Sequence, residues 1–145
     1  MVTTEHEAAG DPPDSAVERW MDKGDGDLRT AEALLGLGEA IPPSIIGFHA
    51  QQAVEKYLKA TLVAEGAAPP REHSISKLRA LVGSVELEQH LSLTRFAVLE
   101  RYPRLQAGEA DEPTRREVWE AVAHAQAVRQ TIVMFLQRRR RRRRG

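Results

Sequence analysis

Apolar residues recur along this chain at spacings of three, four and seven, the signature of amphipathic helices, and no stretch alternates convincingly with period two. Val17, Trp20, Met21, Leu28, Ala31, Leu34 and Leu35 mark a first helix. Ser15 with Glu18 three residues on gives it a capping signature, and Gly36 and Gly38 mark its end. Gly24 and Gly26 weaken its middle by about 1 kcal/mol each relative to alanine. Pro42 and Pro43 suit the first turn of a second helix that runs to about Glu65, with Gly66 as the stop. Its apolar face gathers Ile46, Ala50, Ala53, Val54, Tyr57, Leu58, Thr61 and Ala64. Ser74 caps a short third helix through Leu78, Leu81 and Val82. A fourth helix is predicted over 85–100, carrying Leu87, Leu91, Phe96, Val98 and Leu99. Pro113 opens a fifth, with Val118, Trp119, Val122, Val128, Ile132 and Phe135. Short connections between such helices predict an all-α, up-and-down bundle of four to five antiparallel helices. The domain plan is a disordered leader (1–13), the bundle (14–137) and a disordered arginine tail (138–145).

Composition sharpens this picture in three ways. Aromatics are only 5% of the 145 residues, which disfavours a β-sandwich. Cysteine is absent, which excludes a disulfide framework and a thiolate zinc site. No apolar run reaches the 18 or so residues of a membrane span, and the polar, acidic N-terminus does not read as a signal peptide, so the expected location is cytoplasmic. The net charge of zero hides an asymmetry. Arg138, Arg139, Arg140, Arg141, Arg142, Arg143 and Arg144 are consecutive; removing these seven from the 21 basic residues leaves 14 against 21 acidic ones, a net of −7. The body is acidic and its end strongly basic. Such a run can contact phosphates without specificity, bind anionic lipid heads, or fold back on the acidic body.

The segment Phe48-His49-Ala50-Gln51-Gln52-Ala53-Val54-Glu55-Lys56-Tyr57-Leu58-Lys59-Ala60 carries the most chemistry. His49, Gln52 and Lys56 form one helical stripe beside the apolar face, and Lys59 follows three residues on. An imidazole, a carboxamide and ammoniums in a row offer donors to a phosphate or a base edge. The same pattern also fits a boundary stripe whose stems cover the core while the heads meet water.

This segment resembles the signature helix of the HEPN domain family, in the type associated with minimal nucleotidyltransferases. Other pieces agree in order: Trp20 and Asp27-Leu28-x-x-Ala31 resemble the family's first helix. Gly66, Pro70 and His73 resemble its helix 2–3 connection, and Arg101-Tyr102-Pro103 the stretch after helix 4. The resemblance implies a helical bundle, often a homodimer, that binds nucleotide or RNA and works as one half of a toxin–antitoxin-like pair with a nucleotidyltransferase-type protein. It implies no cofactor. On it, His49, Gln52, Lys56, Lys59, His73, Arg101 and Tyr102 are the candidate ligand-binding residues. Family ribonucleases carry an Arg-x4–6-His motif near helix 4, which this sequence lacks: Arg95 and Arg101 have no histidine downstream until His124. Nucleotide or RNA binding without cleavage is therefore the expected activity, and no catalytic residue is assigned. The alternatives are a metal-independent ribonuclease toxin with a non-standard site, built on Arg101 with His73 or His49, and a purely protein-docking role. No His/Asp/Glu group has metal-ligand spacing. Trp20 and Trp119 fall on apolar faces and are expected in the core or at a dimer interface.

Overall fold

A computed structural model describes residues 12–83, Leu87 and residues 113–144. Within them the chain forms α1 (Pro12–Leu35), a 3-10 turn (Gly38–Ala40), α2 (Pro43–Ala64), the short α3 (Ile75–Leu81) and α4 (Arg115–Arg144). The described residues contain no strand. None of these helices is long and apolar enough to cross a membrane. The helix predicted over 85–100 lies outside the described residues except for Leu87, which is buried.

α2 packs against α1, α3 and α4 and is the centre of the bundle. Its apolar face behaves as the pattern required: Ile46, Ala50, Ala53, Val54, Tyr57 and Leu58 are fully buried. They meet Val17, Leu28 and Ala31 of α1, and α4 contributes Val118, Ala121, Val128, Ile132 and Phe135 to the same core. α1 runs antiparallel to α4. Asp14 meets Arg143 at one end of the pair, and at the other Arg115 Nη1 donates to the Gly38 carbonyl at 2.8 Å and Nη2 to the Leu35 carbonyl at 3.3 Å. α1 has no basic residue in its own last turn, so this guanidinium supplies the positive charge and the donors that a helix C-terminus lacks.

The termini of the helices follow local chemistry, with three departures from the sequence reading. Ser74 caps α3 as expected, accepting from the Lys77 amide at 3.3 Å. Gly66, with φ of 92°, closes α2 in the left-handed region that glycine tolerates. α1, however, begins at Pro12 rather than at Ser15. Proline is accommodated in a first turn because its missing N–H has no helical partner there. Ser15 then lies inside the helix and accepts from Arg19 Nη1 at 2.9 Å instead of capping. The second departure is α4, which begins with a capping box that the sequence reading missed. The Glu117 amide donates to Thr114 Oγ1 at 3.0 Å and the Thr114 amide donates to Glu117 Oε1 at 2.9 Å. The third is at the other end of α4. The helix continues through the arginines to Arg144 where a disordered tail was expected. Arginine is a good helix former, and two of the run reach acids of α1: Arg140 Nη2 lies 3.6 Å from Glu18 Oε2 and Arg143 Nη1 3.2 Å from Asp14 Oδ1.

Gly24 is more than a weak point in α1. A Cβ there would lie 2.6 Å from Tyr57 Cε1 and 2.8 Å from Cδ1, so its missing side chain is what lets α1 approach α2.

Candidate functional site

α2 offers α1 a row of polar groups, and α1 answers with carboxylates. His49 Nδ1 lies 3.1 Å from Asp27 Oδ1, and Lys56 Nζ donates to the other oxygen of the same carboxylate. The imidazole and the ammonium of the predicted stripe thus converge on one acid 22 and 29 residues away in sequence. Their side chains stay partly accessible, 29% for His49 and 22% for Lys56. With Nδ1 facing Asp27, Nε2 is the ring atom left for any ligand.

Gln52 and Lys59 belong to a neighbouring cluster around Glu55. Lys59 Nζ donates to Glu55 Oε2 at 3.1 Å, and both side chains are buried. Lys59 also lies 5.4 Å from the Trp20 ring centroid, within cation–π range. Its ammonium is therefore committed inside the protein, unlike a ligand contact on an open rim. Gln52 Nε2 donates to Gln51 Oε1 at 2.9 Å, and Gln51 Nε2 donates to the His73 carbonyl at 3.2 Å. His73 Nδ1 lies 3.1 Å from Glu55 Oε2 while its side chain is largely exposed. Glu72 fixes this loop by accepting from the Ser74 and His73 amides; the first of these bonds leads in holding its carboxyl below the usual range. Gln52 Nε2 also donates to Glu55 Oε1 at 3.5 Å, so five of the predicted residues meet two acids, Asp27 and Glu55. Arg101 and Tyr102 lie outside the described residues.

A third cluster was not anticipated. Tyr57 Oη donates to Asp25 Oδ1 at 2.7 Å, and Arg129 grips the same carboxylate through Nε at 2.7 Å and Nη2 at 3.2 Å. Burial opposes the charge on Asp25, yet the Arg129 and Tyr57 hydrogen bonds outweigh it and hold the carboxyl below its ordinary value. Burial, then the hydrogen bond to Asp25, pushes the Tyr57 phenol far above its ordinary value, so it stays a neutral donor. The cluster opens onto a cleft of ≈ 320 Å³ between α1 and α4, lined by charges of both signs from Arg29, Glu32 and Arg129. Asp25 and Arg129 are 104 residues apart, beyond any helical-spacing argument.

The two tryptophans part company. Trp20 packs against the core, whereas Trp119 is 62% exposed and does not serve as a core residue within this chain. Among the described residues no group of three or more His, Asp or Glu could hold a metal ion.

A family model for the HEPN domain matches residues 17–138. Among solved structures, the crystal structure of TT1696 from Thermus thermophilus is similar, with a TM-score of 0.63 and 27% sequence identity, covering 81% of this chain and 96% of that one. A comparison with curated proteins returns no match.

Proposed function

Because the chain belongs to the HEPN domain family, we propose that it is a binding module for nucleotide or RNA phosphate that does not cleave its ligand, with the arginine end of α4 as its main anion contact. The observation that carries this reading is a difference in charge balance. On α2, Lys56 and His49 share Asp27, and Lys59 faces Glu55, so the stripe offers a phosphate little uncompensated charge. At the end of α4, seven guanidiniums follow one another, and ion pairs with α1 engage Arg140 and Arg143. Electrostatic attraction to a polyanion follows the exposed cations of the run, with Arg141 and Arg144 at its outer end. His49 and Lys56 then act as fasteners between α1 and α2 rather than as the principal phosphate site. Work as one half of a pair with a nucleotidyltransferase-type protein follows from the family resemblance, and co-expression followed by co-purification tests it.

The phosphate reading is tested by anisotropy with a labelled short single-stranded RNA, with ATP and GTP as competitors. The full chain is compared with a variant in which Arg138 to Arg144 are glutamine. Binding by the full chain is expected to fall with salt at a log–log slope of up to about −5, the single-strand value for seven contacts, and to collapse in the variant. Lys56→Ala is expected to leave affinity within about twofold, the size expected for an already compensated surface charge. Equal binding by the arginine-free variant, or strong loss in Lys56→Ala, would return the site to α2.

One observation favours a second reading. An imidazole oriented by a carboxylate, with an ammonium close by, is an arrangement able to move a proton beside a phosphate. His49, Asp27 and Lys56 have it. RNA incubated with the protein in EDTA distinguishes the two: cleavage that disappears in His49→Ala would establish the ribonuclease, and intact RNA supports binding alone.

A further inference from the structure

We infer that the outward face of α4 is a track for single-stranded RNA, with Trp119 as a base-stacking platform near one end and Arg141 and Arg144 as phosphate contacts at the other. The inference rests on the phosphate reading above and adds where the bases go.

α4 is the longest of the described helices, 30 residues, and exposed residues recur along one side of it, interrupted at the half-buried Ala123. At 100° per residue, Arg116, Trp119, Gln130, Gln137, Arg141 and Arg144 fall on that side, and all six are exposed. The acidic residues of α4 are Glu117 and Glu120. Glu117 is used in the capping box, and Glu120 lies beside the stripe, 3.9 Å from Arg116. From α1, Glu32 borders the track but accepts from Gln126 Nε2 at 2.7 Å, which leaves an amide edge between it and the stripe. In a protein whose body carries a net charge of −7, a face whose acids are confined to the Trp119 end, where Glu120 pairs with Arg116, and whose other end bears Arg141 and Arg144 is where a polyanion can approach.

Charge alone would select any polyanion; Trp119 selects bases. Its indole stands 62% exposed between two clefts that share Glu32 and Leu35 as lining, one of ≈ 540 Å³ toward Arg115 and Arg116 and one of ≈ 370 Å³ toward Gln126. Proteins that hold single strands combine a cationic path with such aromatic faces, because every base has a π-face to stack. The carboxamides of Gln130 and Gln137 lie between, able to donate to or accept from base edges. Trp119 and Arg141 are separated by about 33 Å along the helix at 1.5 Å per residue, a span suited to several nucleotides.

The test uses the full chain with Trp20→Phe, which makes Trp119 the sole tryptophan. The probes are a twelve-nucleotide oligouridine and inorganic polyphosphate of similar charge. Oligouridine is expected to quench Trp119 emission, and Trp119→Ala to weaken its binding on the order of tenfold, as loss of one stacked base does. The salt slope should be unchanged by Trp119→Ala. Arg141→Gln with Arg144→Gln should flatten that slope by about 1.4, two contacts at the single-strand value. Polyphosphate binding should not respond to Trp119→Ala. If oligouridine binds with Trp119 emission unchanged and Trp119→Ala without effect, the track is wrong while the phosphate reading stands. If Trp119 is instead shielded by a second copy, seen as a dimer mass that Trp119→Ala abolishes and RNA does not disturb, the track is likewise overturned. Absence of any RNA binding removes both readings.

Discussion

Gly24 and Gly26 stand two residues apart in α1, and alanine at the two positions is expected to act in opposite directions. At Gly26 an added Cβ meets nothing within 4 Å. The substitution should therefore stabilise by about 0.5–1 kcal/mol through helix propensity and a less flexible unfolded chain. At Gly24 the same gain is opposed by the Tyr57 ring at 2.6 and 2.8 Å and by the Ala53 carbonyl oxygen at 3.2 Å. The ring cannot swing aside cheaply. It is fully buried, and its hydroxyl donates to Asp25, which Arg129 holds in turn. Overpacking a fixed side chain costs about 1–3 kcal/mol, and this contact belongs at the upper end. Net destabilisation of about 2 kcal/mol follows, a gap of about 3 kcal/mol between the two variants. Urea unfolding followed by circular dichroism reads this directly. With a slope of about 1–3 kcal/mol/M, the midpoints should differ by at least about 1 M at unchanged slope. Gly24→Ala combined with Tyr57→Leu should cost less than the sum of the separate changes, because they share one contact. If Gly24→Ala proves as stable as Gly26→Ala, the close approach of α1 and α2 is not what the glycine serves.

Three further outcomes follow from the same geometry. Asp25 has a depressed folded-state pKa, so its contribution to stability is fully present above its ordinary value of 3.8 and is lost as pH falls through the lower folded value. The stability difference between the wild type and Asp25→Asn, measured by urea titration, should shrink steadily as pH falls from about 5 to about 2; a constant difference would show that the charge is not what matters. Glu55→Ala leaves the buried Lys59 ammonium without its carboxylate and should cost about 3–5 kcal/mol, whereas Glu55→Ala with Lys59→Met should recover a large part of that loss in the same urea titration. Thr114→Ala removes one half of the capping box of α4 and should destabilise by about 1 kcal/mol in a thermal melt, while Thr114→Ser should be close to neutral.

The helical architecture and the identity of the central helix were legible in the sequence because both depend on local period. Ile46, Ala50, Val54 and Leu58 state their face within one segment, and Ser74 and Gly66 state where helices begin and end. The partners of the polar stripe were not legible, because the acids that meet it come from another turn of the fold. His49 and Lys56 were singled out for their chemistry, and nothing in their spacing points to Asp27. Glu55 sat in full view within the signature helix, but its burial with Lys59 depends on Trp20 lying over the pair. That Trp119 stays outside the core of its own chain was hidden for the opposite reason. Its spacing fits the apolar pattern of α4 only loosely, a broad helical face admits it at the edge, and it is the packing of α1 that leaves it outside. The arginine run was expected to be disordered, with contact to the acidic body among the roles open to it; intrinsic helix preference carries α4 through it, and Arg140 and Arg143 meet the acids at the start of α1.

The guanidinium of Arg115 ties the end of α1 to the beginning of α4 across 80 residues of sequence. During synthesis α1 emerges early, but the carbonyls of Leu35 and Gly38 wait for these donors until the chain has grown past Arg115. Until then the last turn of α1 frays like that of any uncapped helix, and afterwards it cannot open without releasing the start of α4. Amide hydrogens of residues 32–37 and 118–121 should accordingly exchange with one common protection in the folded protein, as a single opening unit assembled from the two ends of the domain.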